Sequence, residues 1–339
     1  MGADVLSDLL RAVRLRGAVF YYVEGDDPWV AEAPPAREVI SVFMPGADAM
    51  IEFHGVARGS CWAGITGEPP VHLDEGDVVL FPQGDAHVIS SAPGMRARRE
   101  DLGFAPRPAQ LPFALTADAE GVTALRLDGG GRDHTTVVCG FLACDARPFN
   151  PLLSSLPRVL RMPGVVSGRA TLIAQLLDTA VEESNNRRPG GEAVLERMSE
   201  MMFVEVLRRY LDTLPAGQTG WLAGMRDQGV GRALSLLHER PGESWTLETL
   251  GETCGLSRSV LYERFTQLLG VPPIQYLAQW RMQLAAGRLR DSDAKVIEIA
   301  LDVGYESEAA FARAFKRVVG ATPGAWRRRQ SAEASKEGA

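Results

Sequence analysis

The chain has 339 residues, 45% apolar and 23% charged, with a formal net charge of −7. That length holds about two domains, the composition is that of ordinary globular protein, and no window approaches the ~18 consecutive apolar residues of a membrane helix. The acidic total argues against a chain that is basic throughout. Charge is nevertheless uneven: residues 222–329 carry 15 Lys and Arg against 12 Asp and Glu, whereas residues 1–221 carry 20 against 29. Only the C-terminal part suits an anionic partner.

The N-terminus, MGADVLSDLLRAVRLRG, is interrupted by Asp4 and Asp8, and no long apolar core follows its arginines. A secretory leader is therefore not expected. The four cysteines, Cys61, Cys139, Cys144 and Cys254, give no disulfide framework, and a reduced, cytoplasmic setting fits them. Residues 4–16 place Val5, Leu9, Ala12 and Val13 at helical spacing, which predicts a short helix. From 17 to 149 the period changes. Short apolar runs at Ala18–Val23, Val39–Phe43, Ala49–Phe53, Ser60–Ile65, Val78–Phe81, His87–Ser90, Val122–Leu127 and Thr135–Ala143 alternate with Gly, Pro, Asp and Asn. That rhythm predicts an all-β sandwich or barrel.

Beyond 150 the strands are expected to stop. PLLSSLPRVLRM, Thr171–Glu183 and Glu192–Leu211 read as helices. The last carries an apolar stripe through Val194, Met198, Met201 and Met202 for packing on the β domain, for a dimer contact, or for both. Leu214–Gly220 is turn-rich and reads as a linker, and the polar run after Arg329 is expected to be disordered.

The strongest pattern is an internal duplication. Ser259–Pro273 (SVLYERFTQLLGVPP) and Ala309–Pro323 (AAFARAFKRVVGATP) align so that Leu261 matches Phe311, Phe265 matches Phe315, Gly270 matches Gly320 and Pro273 matches Pro323. Each copy is a helix ended by Gly and then Pro. Each follows a shorter helix and a Gly turn: Leu247, Leu250 and Cys254 before Gly255, and Val296, Ile299, Ala300 and Val303 before Gly304. Thr246, Ser257 and Ser307 are the expected N-caps. Helix, Gly turn, helix is the helix-turn-helix form, whose second helix enters the major groove of DNA. The residues opposite each Leu/Phe face then point at bases: Arg258, Ser259, Tyr262, Glu263 and Thr266 in the first copy, Glu308, Ala309, Ala312, Arg313 and Lys316 in the second. Arg313 suits a bidentate guanine contact and Glu263 a cytosine amino group. Arg264, Lys316, Arg317 and Arg327–Arg329 suit phosphates.

With those residues in view, Trp245–Arg328 resembles the DNA-binding domain of the AraC/XylS family of bacterial regulators, the stretch around Ile299–Tyr305 being the family's signature region. The resemblance implies two helix-turn-helix units joined by a long helix and reading adjacent major grooves. It puts Arg313 where such regulators often contact a base, whereas Glu263 stands where a cation or amide is more usual.

Gly76–His87 fits G-x5-P-x-G-x2-H and is similar to the second motif of the cupin β-barrels. Glu52, seven residues before Gly59, resembles the glutamate of a degraded first motif, but Ser41–Met50 lacks the His-x-His pair of metal-binding cupins. Two ligands do not close a metal site, although His54, on the same strand face as Glu52, offers a third. The expectation is an effector pocket lined by Glu52, His54, Trp62 and His87, with no metal and no other cofactor. Cys139 and Cys144, an odd spacing apart, face opposite ways on one strand and cannot pair.

The expected fold is α+β. A cupin-like barrel with an N-terminal helix spans 1–149, a helical packing and dimerisation region 150–213, a linker 214–222, a double helix-turn-helix domain 223–329 and a disordered tail 330–339. The expected function is that of a non-enzymatic, sequence-specific transcription regulator, controlled by a small molecule sensed in the cupin domain. Its expected partners are a double-stranded DNA operator, that effector, RNA polymerase and a second copy of the chain, with no membrane. Two other readings stay open: a metal-dependent cupin enzyme with a DNA-binding tail, and a regulator whose cupin serves only to dimerise.

Overall fold

The computed structural model describes residues 3–98, 113–126, 135–166, 168–186, 188–215 and 217–337. In chain order the elements are α1 (Val5–Ala12), β1 (Arg16–Gly25), β2 (Val30–Ala33), α2 (Ala36–Phe43), β3 (Ala49–Arg58), β4 (Cys61–Ile65), β5 (Val71–Leu73), β6 (Val78–Phe81), β7 (His87–Ser90), β8 (Phe113–Asp118), β9 (Gly121–Arg126), β10 (Thr135–Cys144) and α3 (Pro151–Ser155). Then come β11 (Leu160–Met162), β12 (Val165–Val166), β13 (Arg169–Ala170), α4 (Leu172–Asn186), α5 (Gly191–Thr213), α6 (Trp221–Arg226), α7 (Gln228–Glu239), α8 (Leu247–Cys254), α9 (Arg258–Leu269), α10 (Pro273–Asp291), α11 (Val296–Asp302), α12 (Glu308–Val319) and α13 (Pro323–Glu337). Among these residues no helix is long and apolar enough to cross a membrane.

Two compact units form. A sheet unit comprises Leu15–Cys144 and Leu156–Asp212; a helical unit comprises the chain up to Arg14, Asp145–Ser155 and the chain from Thr213 onward. The sheet unit holds a seven-stranded sheet, ordered β11-β6-β3-β10-β1-β8-β9, and a four-stranded sheet, ordered β2-β7-β4-β5. Strand alternation sorts their side chains. Val23, Met50, Val56, Val79, Phe81, Val137, Cys139 and Phe141 from the large sheet join Ala31, Cys61, Ala63, Ile65 and Ile89 from the small one in a single buried core. The opposite face of the large sheet takes α4: the Tyr22 hydroxyl donates to the Ala180 carbonyl at 3.0 Å. Leu177 sits so close to Gly55 that a Cβ there would lie 2.3 Å from its Cδ2.

Several segments differ from the sequence reading. Val39–Phe43 belongs to a helix, α2, because Ala36, Val39 and Phe43 recur at helical spacing and are the buried positions. PLLSSLPRVLRM is helical only over Pro151–Ser155; Leu160–Met162 pairs antiparallel with β6. Strands β2, β5 and β8 lie outside the runs read as strands, and Leu127 of the Val122–Leu127 run lies outside the described residues. The tail is helical to Glu337. Helix α1 packs in the helical unit, as does Asp145–Ser155, and the segment read as a linker over 214–222 already enters α6 at Trp221.

Within the helical unit the long helix α10 is the organising element. Its Tyr276 hydroxyl accepts from Trp221 Nε1 at 2.8 Å and meets His238 Nε2 at 2.8 Å. His238 stacks on Trp280 with ring centroids 4.0 Å apart. Farther along, Met282, Ala285, Ala286 and Leu289 form a second core with Ile299, Ala300, Val303, Phe311 and Phe315. Gln283, 1% exposed, donates from Nε2 to the Ala12 carbonyl and accepts at Oε1 from the Phe149 amide. Beside it the buried carboxylate of Asp145 receives Arg14 on both oxygens and Arg290 on one. These bonds tie the chain on either side of the sheet unit's first and last central strands to α10.

Candidate functional site

The two helix-turn-helix units are built alike from local signals. Thr246 caps α8 by accepting from the Thr249 amide, and Gly255 ends it in the left-handed region at φ 73°. Ser257 Oγ then accepts from the Val260 amide to start α9, which Gly270 ends at φ 75°. In the second unit Gly304, at φ +85°, turns the chain, Ser307 caps α12 through the Ala310 amide, and Gly320 ends that helix at φ 82°. Gly304 is demanded by crowding as well as by its backbone angle, since a Cβ would lie 2.6 Å from the Gly242 carbonyl oxygen.

One face of each second helix is buried: Leu261 and Phe265 on α9, Phe311, Ala314 and Phe315 on α12. The other face is open. Arg258, Ser259, Tyr262 and Glu263 are exposed on α9, as are Glu308, Ala309, Arg313, Lys316 and Arg317 on α12; Ala312 and Thr266 are half-buried. Among the described residues the cations differ between the units. Arg258 pairs with Glu248 at 2.8 Å, and Arg264 pairs with Asp227, the N-cap of α7, at 2.6 Å. Arg313, Lys316 and Arg317 make no ion pair among the described residues. Arg327, read as a phosphate contact, instead donates to the Leu289 and Ala294 carbonyls at the end of α10. Arg281, missed in the sequence, donates to the carbonyls of Pro241, Glu243 and Gly304 and so holds the second turn. Its partners lie 23–40 residues away, so spacing along the chain gave no signal.

In the sheet unit, β3 pairs with β10 so that His54 lies opposite Cys139 and Glu52 opposite Phe141, while β7 brings in His87. Glu52, His54 and His87 are 2%, 2% and 1% exposed. His54 Nε2 stands 2.6 Å from His87 Nε2, and His87 Nε2 stands 3.7 Å from Glu52 Oε2. His54 Nδ1 meets Cys139 Sγ at 2.9 Å, and His87 Nδ1 donates to the Asp85 carbonyl at 2.8 Å. Phe81 stacks on His87 at 3.9 Å. Burial pushes the Glu52 carboxyl up to about 8 and the His87 imidazole down to about 4; it also lowers His54, with His87 adding to the effect. Each group is thereby held toward its neutral form. Burial likewise raises the thiols of Cys139 and Cys61, the latter to about 12, which keeps them protonated and unreactive. Trp62 lies apart: its neighbours Cys61 and Ala63 take the inward positions, and it packs edge-on against His72 at 5.0 Å. Three of the four residues read as a pocket lining thus meet.

Comparison with known proteins agrees with both regions. Residues 4–212 match a family profile described as cupin, and residues 250–329 one described as a helix-turn-helix domain. An AraC-like transcription regulator of Streptomyces lividans is 34% identical over 327 residues, 96% of this chain and 98% of that protein. The chain belongs to the AraC-like transcription regulators. The HTH-type transcriptional regulator AlkR of Acinetobacter baylyi is 27% identical over 93% of this chain and 95% of its own. The DNA-binding domain of AdpA, solved in complex with a target DNA, is 30% identical over 31% of this chain and 96% of that one, with a TM-score of 0.30. This family member thus joins a cupin-like sensing domain to an AraC-type DNA-binding domain.

Proposed function

We propose that this regulator binds its operator through α9 and α12, placed in successive major grooves, and that a small molecule entering the buried core of the sheet unit sets its affinity for DNA. The observation that carries the reading is the matched pair of second helices, each buried through Leu or Phe and open on the other face. Helix α10, with 19 residues, spans roughly 28 Å at ~1.5 Å per residue, a length suited to holding two recognition helices about one DNA turn apart. On this reading Arg313 contacts a guanine, Lys316 and Arg317 contact phosphates, and Arg258, Ser259, Tyr262, Glu263, Thr266, Glu308, Ala309 and Ala312 complete the base-facing surface.

Glu52, His54 and His87 supply buried polar groups among apolar core residues, His54 and His87 packing against Phe81, and a few such groups are how small-molecule sites fix orientation. The exposed Val194 and Met201 of α5, seven residues apart on one side of that helix, suit contact with a second copy of the chain. RNA polymerase is the expected downstream partner. The named relatives are regulators, which favours sensing over turnover at the buried cluster.

The test is binding of duplex DNA by the full chain across a salt series. Affinity should fall steeply with salt, and Lys316→Ala should reduce the slope of log K against log salt by about one. A slope unchanged in Lys316→Ala and Arg317→Ala would remove these residues from the interface. A response of DNA affinity to small molecules, surveyed with cell extract as the source, tests the sensing half separately.

A further inference from the structure

We propose that the helical unit carries an effector site of its own, a cleft that takes a small uncharged ring compound bearing an N–H or O–H donor. The inference goes beyond the sensing assigned to the sheet unit and does not depend on it. Every residue lining the cleft belongs to the helical unit. One wall comes from the segment after β10, between Phe149 and Ser155; the other comes from the start of α6, the last turn of α9 and the N-terminal half of α10. The volume is about 450 Å³, within the roughly 300–1,000 Å³ of small-molecule sites.

The walls are bonded to one another. The Ser155 hydroxyl donates to the Pro151 carbonyl at 2.7 Å and accepts from the Trp221 amide at 2.9 Å, which fastens α3 to α6. The Gly220 amide donates to the Leu268 carbonyl at 2.7 Å, which fastens the start of α6 to the end of α9. Phe149 stands edge-on to Tyr276 with ring centroids 5.3 Å apart. A cleft held in shape by its own bonds needs little ordering when a ligand enters.

The lining selects the ligand. Phe149, Pro151, Trp221, Leu268, Leu269 and Val271 give flat and branched apolar surface, and no Lys, Arg, His, Asp or Glu is among the described residues that line the cleft. A charged ligand would find no counter-ion there, which disfavours it. The Tyr276 hydroxyl is engaged by Trp221 Nε1 and His238 Nε2. Acceptors remain. Gln279 is half-buried on the wall, and its Oε1 is a buried oxygen without a hydrogen-bond partner among the described residues. The carbonyls of a helix's last turn lack helical partners and carry the negative end of its dipole, and here that turn is Gln267–Leu269 of α9. A buried acceptor left unpaired is destabilising, so a ligand N–H or O–H gains where a second acceptor would not. The site lies at Gly270, the C-cap of α9. A ligand seated between that end and the segment from Phe149 to Ser155 braces a helix that carries base-facing residues, which links its binding to that of DNA.

The experiment offers the full chain three naphthalenes: 2-naphthol, uncharged with an O–H; 2-methoxynaphthalene, which lacks the donor; and 2-naphthoate, which is anionic. Equilibrium dialysis reads binding, and titration of a duplex selected from random sequence reads the effect on DNA. Wild type should bind about one equivalent of 2-naphthol, about tenfold more tightly than either analogue, and 2-naphthol should shift duplex affinity by about fivefold or more. Ser154→Trp, at an exposed position of α3 on the cleft wall, should fill the space and abolish both effects. Gln279→Leu should lower 2-naphthol to the affinity of 2-methoxynaphthalene and leave the latter unchanged, whereas a packing defect would weaken both. Circular dichroism reports whether each variant is folded; if Ser154→Trp is not, Gln279→Leu decides. The proposal is overturned if wild type binds no 2-naphthol up to its solubility limit, if 2-naphthoate binds equally well, or if folded Ser154→Trp still binds, since the probe then lies elsewhere. Binding without any shift in duplex affinity would overturn the effector role.

Discussion

The two helix-turn-helix units share a frame and differ in what they do with charge. Ser257 and Ser307 cap their second helices, Gly270 and Gly320 end them, and Phe265 and Phe315 anchor them. Yet the first unit spends its cations internally: Arg258 on Glu248, Arg264 on Asp227. The second leaves Arg313, Lys316 and Arg317 exposed, without an ion pair among the described residues. An exposed ion pair is weak and breaks readily when a phosphate competes, but its partner still repels DNA. The comparison teaches that duplicated scaffolds need not divide binding equally. On the reading proposed above, the second unit carries the electrostatic contact with DNA, and the first contributes shape, Tyr262 and Glu263.

The largest effect should come from breaking the shared frame. Phe265→Ala and Phe315→Ala, both fully buried, should each cost about 3–5 kcal/mol in unfolding experiments. A much smaller loss for one would mean that the two halves are not packed alike. Next, Arg313→Ala should weaken operator binding by about 1–3 kcal/mol, and Arg258→Ala by less than about 1 kcal/mol, since that guanidinium must first leave Glu248. Titrations of one duplex with both variants read the difference; equal losses would erase the asymmetry. Ser257→Ala and Ser307→Ala should each cost about 1 kcal/mol of stability, and unequal values would separate caps that look equivalent.

A pH dependence is expected from the first half alone. Burial pushes His238 down to about 3, against an ordinary histidine value near 6.5. Between those values the unfolded chain binds the proton and the folded chain does not. Stability contributed here is therefore complete above about pH 6.5 and is lost as pH falls, by up to about 1.4 kcal/mol per pH unit. His238→Gln should remove that slope from urea unfolding of the full chain, measured as the difference between variant and wild type from pH 7.5 to 5. Parallel curves would show that His238 titrates normally.

The duplicated domain was legible because its determinants are local. Caps, left-handed glycines and Leu or Phe residues four positions apart are written in nearby residues, and Thr246, Ser257 and Ser307 cap where the pattern says. The sheet unit was legible in kind but less so in detail. Five residues from Val39 to Phe43 carry too little period to separate a strand from a helix, and only Ala36 supplies the missing repeat. Leu160–Met162 becomes a strand because β6 offers it a ladder, a fact about distant residues. The same holds for Asp145, Gln283, Arg281 and Arg327, whose partners are fixed by tertiary packing. Arg327 looked like a phosphate contact because composition says nothing about which carbonyls lie within reach. Glu52, His54 and His87 were found by motif and by the period of a strand; Trp62 was misplaced because nearness in sequence to a motif does not set a side chain's face.

The most direct test of the central claim is selection of bound duplexes from random sequence by the full chain, run in parallel with Arg313→Ala. Two short preferred boxes about one helical turn apart are expected, with Arg313→Ala relaxing the preference at a base in one box and leaving the other intact. A single box, or an identical motif for both proteins, would contradict it.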